Sequence, residues 1–272
     1  MHTKVGVQHA EPPQLYKLPE YYDIAFTYDR DISGEIDFLQ DCFRNHAALP
    51  VTSILEAACG SGMFLVGFAK KGYRIIGYDI ERSMVEFAKA AIIRHGTLDL
   101  ALVVEGDMQS IRFDRKFDAA ITLISSLSYC VTDESLASHF SIMSETVNRG
   151  GLYIVELFFA CNDLEYEKYP YETWTVNKGA MKIDVSWKLD CYDRENKIRN
   201  VVLNMGVRDN GTQFSFEEKH RLRLWYDEDF RSYCRLGGFA LVAVYDQKFR
   251  PVPKGIPLTG ELGGVFCVLR KE

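Results

Sequence analysis

The stretch Ser53-Ile-Leu-Glu-Ala-Ala-Cys-Gly-Ser-Gly62 constrains this chain most. An apolar run ends in Glu56, glycines follow at 60 and 62, and a helical pattern opens through Met63, Phe64, Leu65 and Phe68. That order is a strand, a tight loop and a helix N-terminus. Glycines let the loop backbone come close to a ligand, and the free N–H groups at the helix start favour polar or anionic groups. The next strand-like run, from Tyr73, ends in Asp79, 79 − 60 = 19 positions after Gly60. A carboxylate at that place accepts hydrogen bonds from the two hydroxyls of a ribose, as in a nucleoside-binding βαβ unit.

Two cofactor classes compete for such a unit. A dinucleotide site wants a third glycine three positions after the second; here Leu65 stands there. Glu56 sits at the strand end instead. The pattern Glu-x-Ala-Cys-Gly-Ser-Gly resembles motif I of class I S-adenosylmethionine-dependent methyltransferases. The resemblance implies S-adenosyl-L-methionine as cofactor and S-adenosyl-L-homocysteine as product, with this loop at the methionine and ribose parts. The competing reading is a pair of glycines that only makes a turn.

The chain has 272 residues, enough for one large domain or one domain with an insertion. With 47% hydrophobic and 26% charged residues it reads as globular, and its net charge of −6 makes nucleic acid an unexpected partner. No apolar run approaches the ~18 residues of a membrane span, and the first nineteen residues lack a signal-peptide core. Seven cysteines with no Cys-x-x-Cys suit reduced thiols, a cytoplasmic location and no metal site.

Along the chain, residues 1–19 read as a flexible arm. A helix is expected over Gly34–His46, followed by alternating strands (53–57, 73–79, 100–105, 117–124, 152–158) and helices (62–71, 83–94, 133–147). That alternation predicts an α/β fold with a Rossmann-like, mainly parallel seven-stranded sheet and helices on both faces. After about Tyr171 the period changes to two: Met181, Ile183, Val185, Trp187, Leu189 and Cys191 share one face. Two more such strands follow, with the hairpin signal Asp209-Asn-Gly211 between them. An antiparallel β meander is therefore inserted. The expected units are an N-terminal arm and lid at 1–33, a cofactor-binding domain at 34–170 and 225–272, and the meander at 171–224. A helix at 227–236 and strands at 239–245 and 265–269 complete the chain.

Ligands of such sheets bind beyond the strand carboxyl ends, where Glu56, Asp79, Asp107, Ser125 and Glu156 all fall. Glu56 suits the cofactor's amino end or braces the glycine loop. Asp79 suits the ribose diol. Asp107 and the Met108 N–H suit the adenine, and Ser125 the floor beneath the cofactor. Tyr28, Ala58, Gly60, Gly62 and Ile80 complete the cofactor set. Each has a plain structural alternative as a turn, cap or packing residue.

On the substrate side, Glu156 ends an apolar strand and needs a partner there, either a substrate ammonium or a structural cation. Tyr129 follows the fourth strand and either lines the cleft or packs. His220 and Glu218 share the apolar face of a meander strand; they roof the pocket or satisfy each other. Tyr21 and Tyr22 belong to an aromatic segment that closes over the cofactor or packs on the core. His139 reads as a partly exposed structural histidine.

The resemblance widens over Tyr28-Asp29, Glu56 to Gly62, Gly106-Asp107-Met108, Phe117 to Leu127, Val155-Glu156 and Glu217-Glu-Lys-His220-Arg. The chain resembles bacterial nucleotide-linked amino-sugar N,N-dimethyltransferases and related small-molecule methyltransferases from about Tyr21 to Phe239. That family's insertion covers the active site and helps form dimers, so a homodimer is implied here. The resemblance also places Tyr21, Glu156 and His220 near the substrate. One departure concerns the acceptor: the family can carry a histidine where this chain has Tyr129. The Asn-Pro-Pro-Tyr signature of adenine and glutamine methylation is missing. Methyl transfer to a small molecule at an amine nitrogen is expected, with Tyr129, Glu156 and His220 orienting the acceptor or taking its proton. The alternatives are an oxygen acceptor, a cofactor-binding module without turnover, or a protein substrate.

Overall fold

The computed structural model describes residues 14–160 and 172–272. Seven strands form one sheet: β1 (Ser53–Ala57), β2 (Arg74–Asp79), β3 (Ala101–Glu105), β4 (Phe117–Thr122), β5 (Val147–Phe158), β10 (Phe239–Asp246) and β11 (Gly264–Lys271). Their order is β10-β11-β5-β4-β1-β2-β3. The strands from β3 to β5 run parallel, whereas β11 is antiparallel to both β5 and β10. From β1 the chain crosses to β2 on one side, and β4 returns on the other. Such a reversal opens a crevice beyond the strand ends.

The helices are α1 (Pro19–Thr27), α2 (Ile32–His46), α3 (Met63–Lys70), α4 (Arg82–Arg94), α5 (Asp133–Thr146) and α6 (Asp227–Leu236). Phe43 and Leu39 of α2, Phe64 and Phe68 of α3 and Val85 and Ile92 of α4 bury one sheet face. Phe140 and Met143 of α5 and Phe230 of α6 bury the other. Strands covered on both faces need no polar side, hence the near-continuous apolar runs. The expected elements agree with these to within a few residues at their ends, except that β5 begins five residues early, straight out of α5.

The insertion is a second, antiparallel sheet of four strands in sequential order: β6 (Glu172–Lys178), β7 (Met181–Asp193), β8 (Ile198–Asp209) and β9 (Thr212–Arg223). The sequence reading found three. Strand β6 was missed because it is an edge strand in which only Val176 is buried. The apolar side of the meander (Ile183, Val185, Leu203, Met205, Val207) packs on Leu15, Tyr22, Ile24 and Ala25. The alternating apolar face of the meander is thus filled from within the chain.

Two further expectations need correction. Residues 14–19 are not a loose arm: Gln14–Lys17 form a 3-10 turn, Leu15 is buried, and α1 begins at Pro19. Residues 1–13 lie outside the described ones. His139 is fully buried rather than partly exposed, because α5 turns it toward the sheet, where Tyr153 gives it a partner.

Candidate active site

The glycine loop joins β1 to α3 through three left-handed residues, Ala58 (φ 53°), Gly60 (φ 51°) and Gly62 (φ 80°). A Cβ on Gly62 would come within 2.7 Å of Ala88 Cβ, so α3 and α4 meet there only through glycine. Asp79, at the end of β2, closes the loop from below. Its Oδ2 accepts the Gly60 amide at 2.8 Å and its Oδ1 the Glu81 amide at 2.9 Å. Each oxygen keeps a lone pair for a ligand hydroxyl. Burial raises the Asp79 carboxyl to about 6, against the lowering by its backbone hydrogen bonds.

Glu56 lines a small cavity with Tyr22, Ala58, Gly60, Ile124 and Ser126. It is 3% exposed, and its Oε2 has no hydrogen-bond partner among the described residues. Burial, and then the Asp79 charge, push its carboxyl well above the ordinary range. A buried acid without a partner is costly; a ligand ammonium at this place would restore its charge and satisfy it. Ser125, in the left-handed region at φ 54°, also holds a buried hydroxyl without a partner among the described residues. The site therefore fits a nucleoside that carries an amino group.

The loop after β3 turns at Gly106, where a Cβ would meet Ile111 at 2.3 Å. The Gly106 amide donates to the Asp79 carbonyl at 2.9 Å, which ties this loop to β2. Asp107 Oδ1 accepts the Gln109 amide at 2.8 Å. Ile80, just past β2, is 47% exposed, an apolar side chain at the rim of the crevice.

The N-terminal segment covers the loop. Tyr22 lies 3.7 Å from the place of a Gly60 Cβ, and Ser61 Oγ donates to Asp23 Oδ1 at 2.6 Å. Trp174 of β6 donates to the Ala25 carbonyl at 2.8 Å. Tyr21 and Tyr28 sit elsewhere: Tyr21 packs on Phe214 of the meander and Tyr28 is 52% exposed at the end of α1.

Glu156 and His220 are both buried, but in different networks. Glu156 Oε2 accepts the Ile124 amide at 2.7 Å and pairs with Arg30 at 3.1 Å. Arg30 also pairs with Glu35 at 2.6 Å. Glu156 thus holds the left-handed turn at Ile124 and Ser125 against the base of the lid. His220 Nε2 lies 3.0 Å from Glu218 Oε1, Nδ1 lies 2.7 Å from Tyr129 Oη, and Tyr129 Oη lies 2.7 Å from Tyr16 Oη. The Leu15 amide donates to Glu218 at 3.2 Å.

Glu218 Oε1 is close to Nε2, but Nε2 makes no hydrogen bond among the described residues, so the hydrogen-bonded chain runs from Tyr16 through Tyr129 to Nδ1 of His220. With the imidazole proton on Nε2, Tyr129 donates to Nδ1 and accepts from Tyr16. Burial raises both phenols above their ordinary value, so they remain neutral. Sequence reasoning missed Tyr16 and Arg30. Tyr16 fell in the supposed arm, and a single arginine in a loop carries no pattern.

Residues 54–151 match the family model described as a methyltransferase domain. A stretch of 150 residues is 28% identical to dTDP-3-amino-3,4,6-trideoxy-alpha-D-glucopyranose N,N-dimethyltransferase of Streptomyces venezuelae, covering 55% of this chain and 57% of that protein. The chain thus spans a little over half the length of this relative. Two solved structures share the fold. The sugar N-methyltransferase KedS8 from Streptoalloteichus sp ATCC 53650 has a TM-score of 0.75 at 17% identity, with both chains fully covered. SAM-bound CalS10, an amino pentose methyltransferase from Micromonospora echinaspora, has a TM-score of 0.71 at 16% identity, covering 97% of this chain and 100% of the other.

Proposed function

We infer that this chain, which carries a methyltransferase domain over residues 54–151, is an S-adenosylmethionine-dependent methyltransferase whose acceptor is the amine of a small molecule. The observation that carries the reading is the buried Glu56, whose Oε2 has no hydrogen-bond partner among the described residues, beside a glycine loop closed by Asp79. When bound, S-adenosylmethionine supplies an electrophilic methyl group on a sulfonium. Glu56 meets its ammonium, the loop of Ala58, Gly60 and Gly62 its amino-acid part, Asp79 its ribose, and Asp107, Met108 and Ile80 its adenine. Ser125 forms the floor. The relatives named above are an amino-sugar nucleotide N,N-dimethyltransferase, an amino pentose methyltransferase and a sugar N-methyltransferase, which supports an amine acceptor.

Tyr22, with Tyr16 packed edge-on against it, covers this cradle. The cavity between Tyr22 and the loop is only about 20 Å³, whereas sites for drug-sized molecules measure several hundred. The segment from Gln14 to Thr27 swings away to admit the cofactor and closes again to exclude water. An ammonium acceptor must lose a proton before nitrogen can attack. The chain from Tyr16 through Tyr129 to His220 gives that proton a route away from the reacting face. Tyr129 and His220 therefore handle the proton, while Glu156 positions the floor by holding Ile124. Tyr21 packs on the meander and Tyr28 is exposed at the end of α1, so a contact of Tyr21 with the substrate or Tyr28 with the cofactor belongs to the open or loaded form.

The outer meander face, opposite the one that packs on α1, presents Thr175, Asp184, Ser186, Asn204 and Glu217 and is another candidate contact. A homodimer through that surface, a cytoplasmic setting and the unit boundaries at 33, 170 and 224 belong to the same proposal. Solution scattering tests the dimer; a monomeric mass contradicts it. The function is tested by incubating the protein with S-adenosylmethionine and amino-sugar nucleotides. S-adenosylhomocysteine formation that depends on the amine supports it. Turnover with the hydroxyl analogue but not the amine would favour an oxygen acceptor.

A further inference from the structure

The second buried histidine has no part in the proton route, yet every polar atom around it is engaged. His139 Nδ1 lies 3.1 Å from the Met108 carbonyl oxygen, and Nε2 lies 2.7 Å from Tyr153 Oη. Tyr153 Oη lies 2.9 Å from Thr122 Oγ1. His139, Tyr153 and Thr122 are all fully buried. A carbonyl oxygen cannot donate, so the imidazole proton sits on Nδ1 and points at Met108. Nε2 must then accept from Tyr153, and Tyr153 from Thr122. Burial lowers the imidazole to about 4, so at neutral pH it is uncharged and this pattern persists.

The chain does not stop at Met108. The same peptide unit presents the Gln109 N–H on its other side, and that N–H donates to Asp107 Oδ1 at 2.8 Å. The peptide is planar, so fixing its oxygen fixes the direction of its hydrogen. Ser138 Oγ pins the next carbonyl, Gln109, at 2.6 Å. Two neighbouring side chains of α5 therefore hold two consecutive carbonyls of the loop that carries Asp107.

We propose that His139 is a positioning residue for the cofactor's adenine: through the Met108–Gln109 peptide it sets the direction of the Asp107 carboxylate that accepts from the 6-amino group. The inference rests on the functional reading above. His139 touches no ligand itself. It also joins the adenine side to the acceptor side, because Thr122 ends β4 two residues before Ile124.

The test compares binding of S-adenosylhomocysteine with that of S-inosylhomocysteine, which lacks the 6-amino group, by calorimetry. The folded protein should prefer the adenosyl ligand at least tenfold. His139→Leu should bring that preference within about threefold. His139→Gln, whose amide can still donate to Met108, should keep more of it. Tyr153→Phe, which leaves Nε2 without its donor, provides a milder variant should His139→Leu not fold, and should also lower the preference. A structural role alone would weaken both ligands equally. An unchanged ratio in the folded variants therefore overturns the proposal, as does a parent protein that does not discriminate. Failure of the parent to bind either ligand instead breaks the functional reading.

Discussion

Gly60 donates its amide to Asp79 Oδ2 at 2.8 Å, so the last residue of β2 braces the loop that leaves β1. One carboxylate both shapes the loop and faces the place where a ribose would lie.

That double role makes cofactor binding pH-dependent. Burial holds Asp79 near 6, and two hydroxyl donors need the ionised form. Affinity for S-adenosylhomocysteine should fall about tenfold per pH unit below 6, one proton being taken up, and Asp79→Asn should flatten the profile. The folded pKa lies above the unfolded one, so the native state binds more protons between about 4 and 6. The contribution of Asp79 to stability is therefore fully present below the unfolded pKa and lost as pH rises through 6. Calorimetric titrations from pH 5 to 8 check the binding limb.

The two loop glycines should respond unequally to alanine. Both have positive φ, which costs roughly 1 kcal/mol for a residue with a Cβ. At Gly60 the nearest atom to a Cβ is 3.7 Å away, but at Gly62 Ala88 Cβ is only 2.7 Å away. Gly62→Ala should thus lose about 2–3 kcal/mol in urea unfolding, with its overpacking added to the strain, and Gly60→Ala about 1.

Cutting the proton route should spare cofactor binding. Tyr129→Phe removes the link between Tyr16 and His220. We expect kcat to fall about 10²-fold, within the range for general acid–base catalysis, with KM for S-adenosylmethionine changed less than twofold. His220→Asn should behave alike. Steady-state kinetics on an ammonium acceptor check both, and an equal rise in KM would assign the pair to binding instead.

Glu156 should separate from that pair. Glu156→Gln keeps an acceptor for the Ile124 amide but leaves Arg30 only Glu35 as an ionic partner. A loss of about 1–3 kcal/mol is expected for a buried charged hydrogen bond. The kcat of Glu156→Gln should fall less than that of His220→Asn, and urea unfolding checks the loss of stability.

How much of this was legible in the sequence follows from how local each feature is. The glycine loop, Asp79 and Asp107 lie beside the strand ends that position them, and periodicity located those strands. The networks that finish the site are not local. Tyr16 and Tyr129 are 113 residues apart, and Arg30 and Glu156 are 126 apart. Nothing in either neighbourhood announces the other. Strand β6 shows a different limit, since an exposed edge strand buries too little to leave an apolar period. His139 lies one position off the apolar stripe of α5, yet faces the sheet because Tyr153 offers it a hydrogen bond there.

Titration of the protein with S-adenosylmethionine and S-adenosylhomocysteine, alongside Asp79→Ala, tests the central claim most directly. The account predicts micromolar binding by the parent protein. It also predicts more than a tenfold loss in the variant, since a charged hydrogen-bonding partner contributes about 1.5–3 kcal/mol. A folded parent protein that binds neither ligand, or a variant that binds as tightly as the parent, would contradict it.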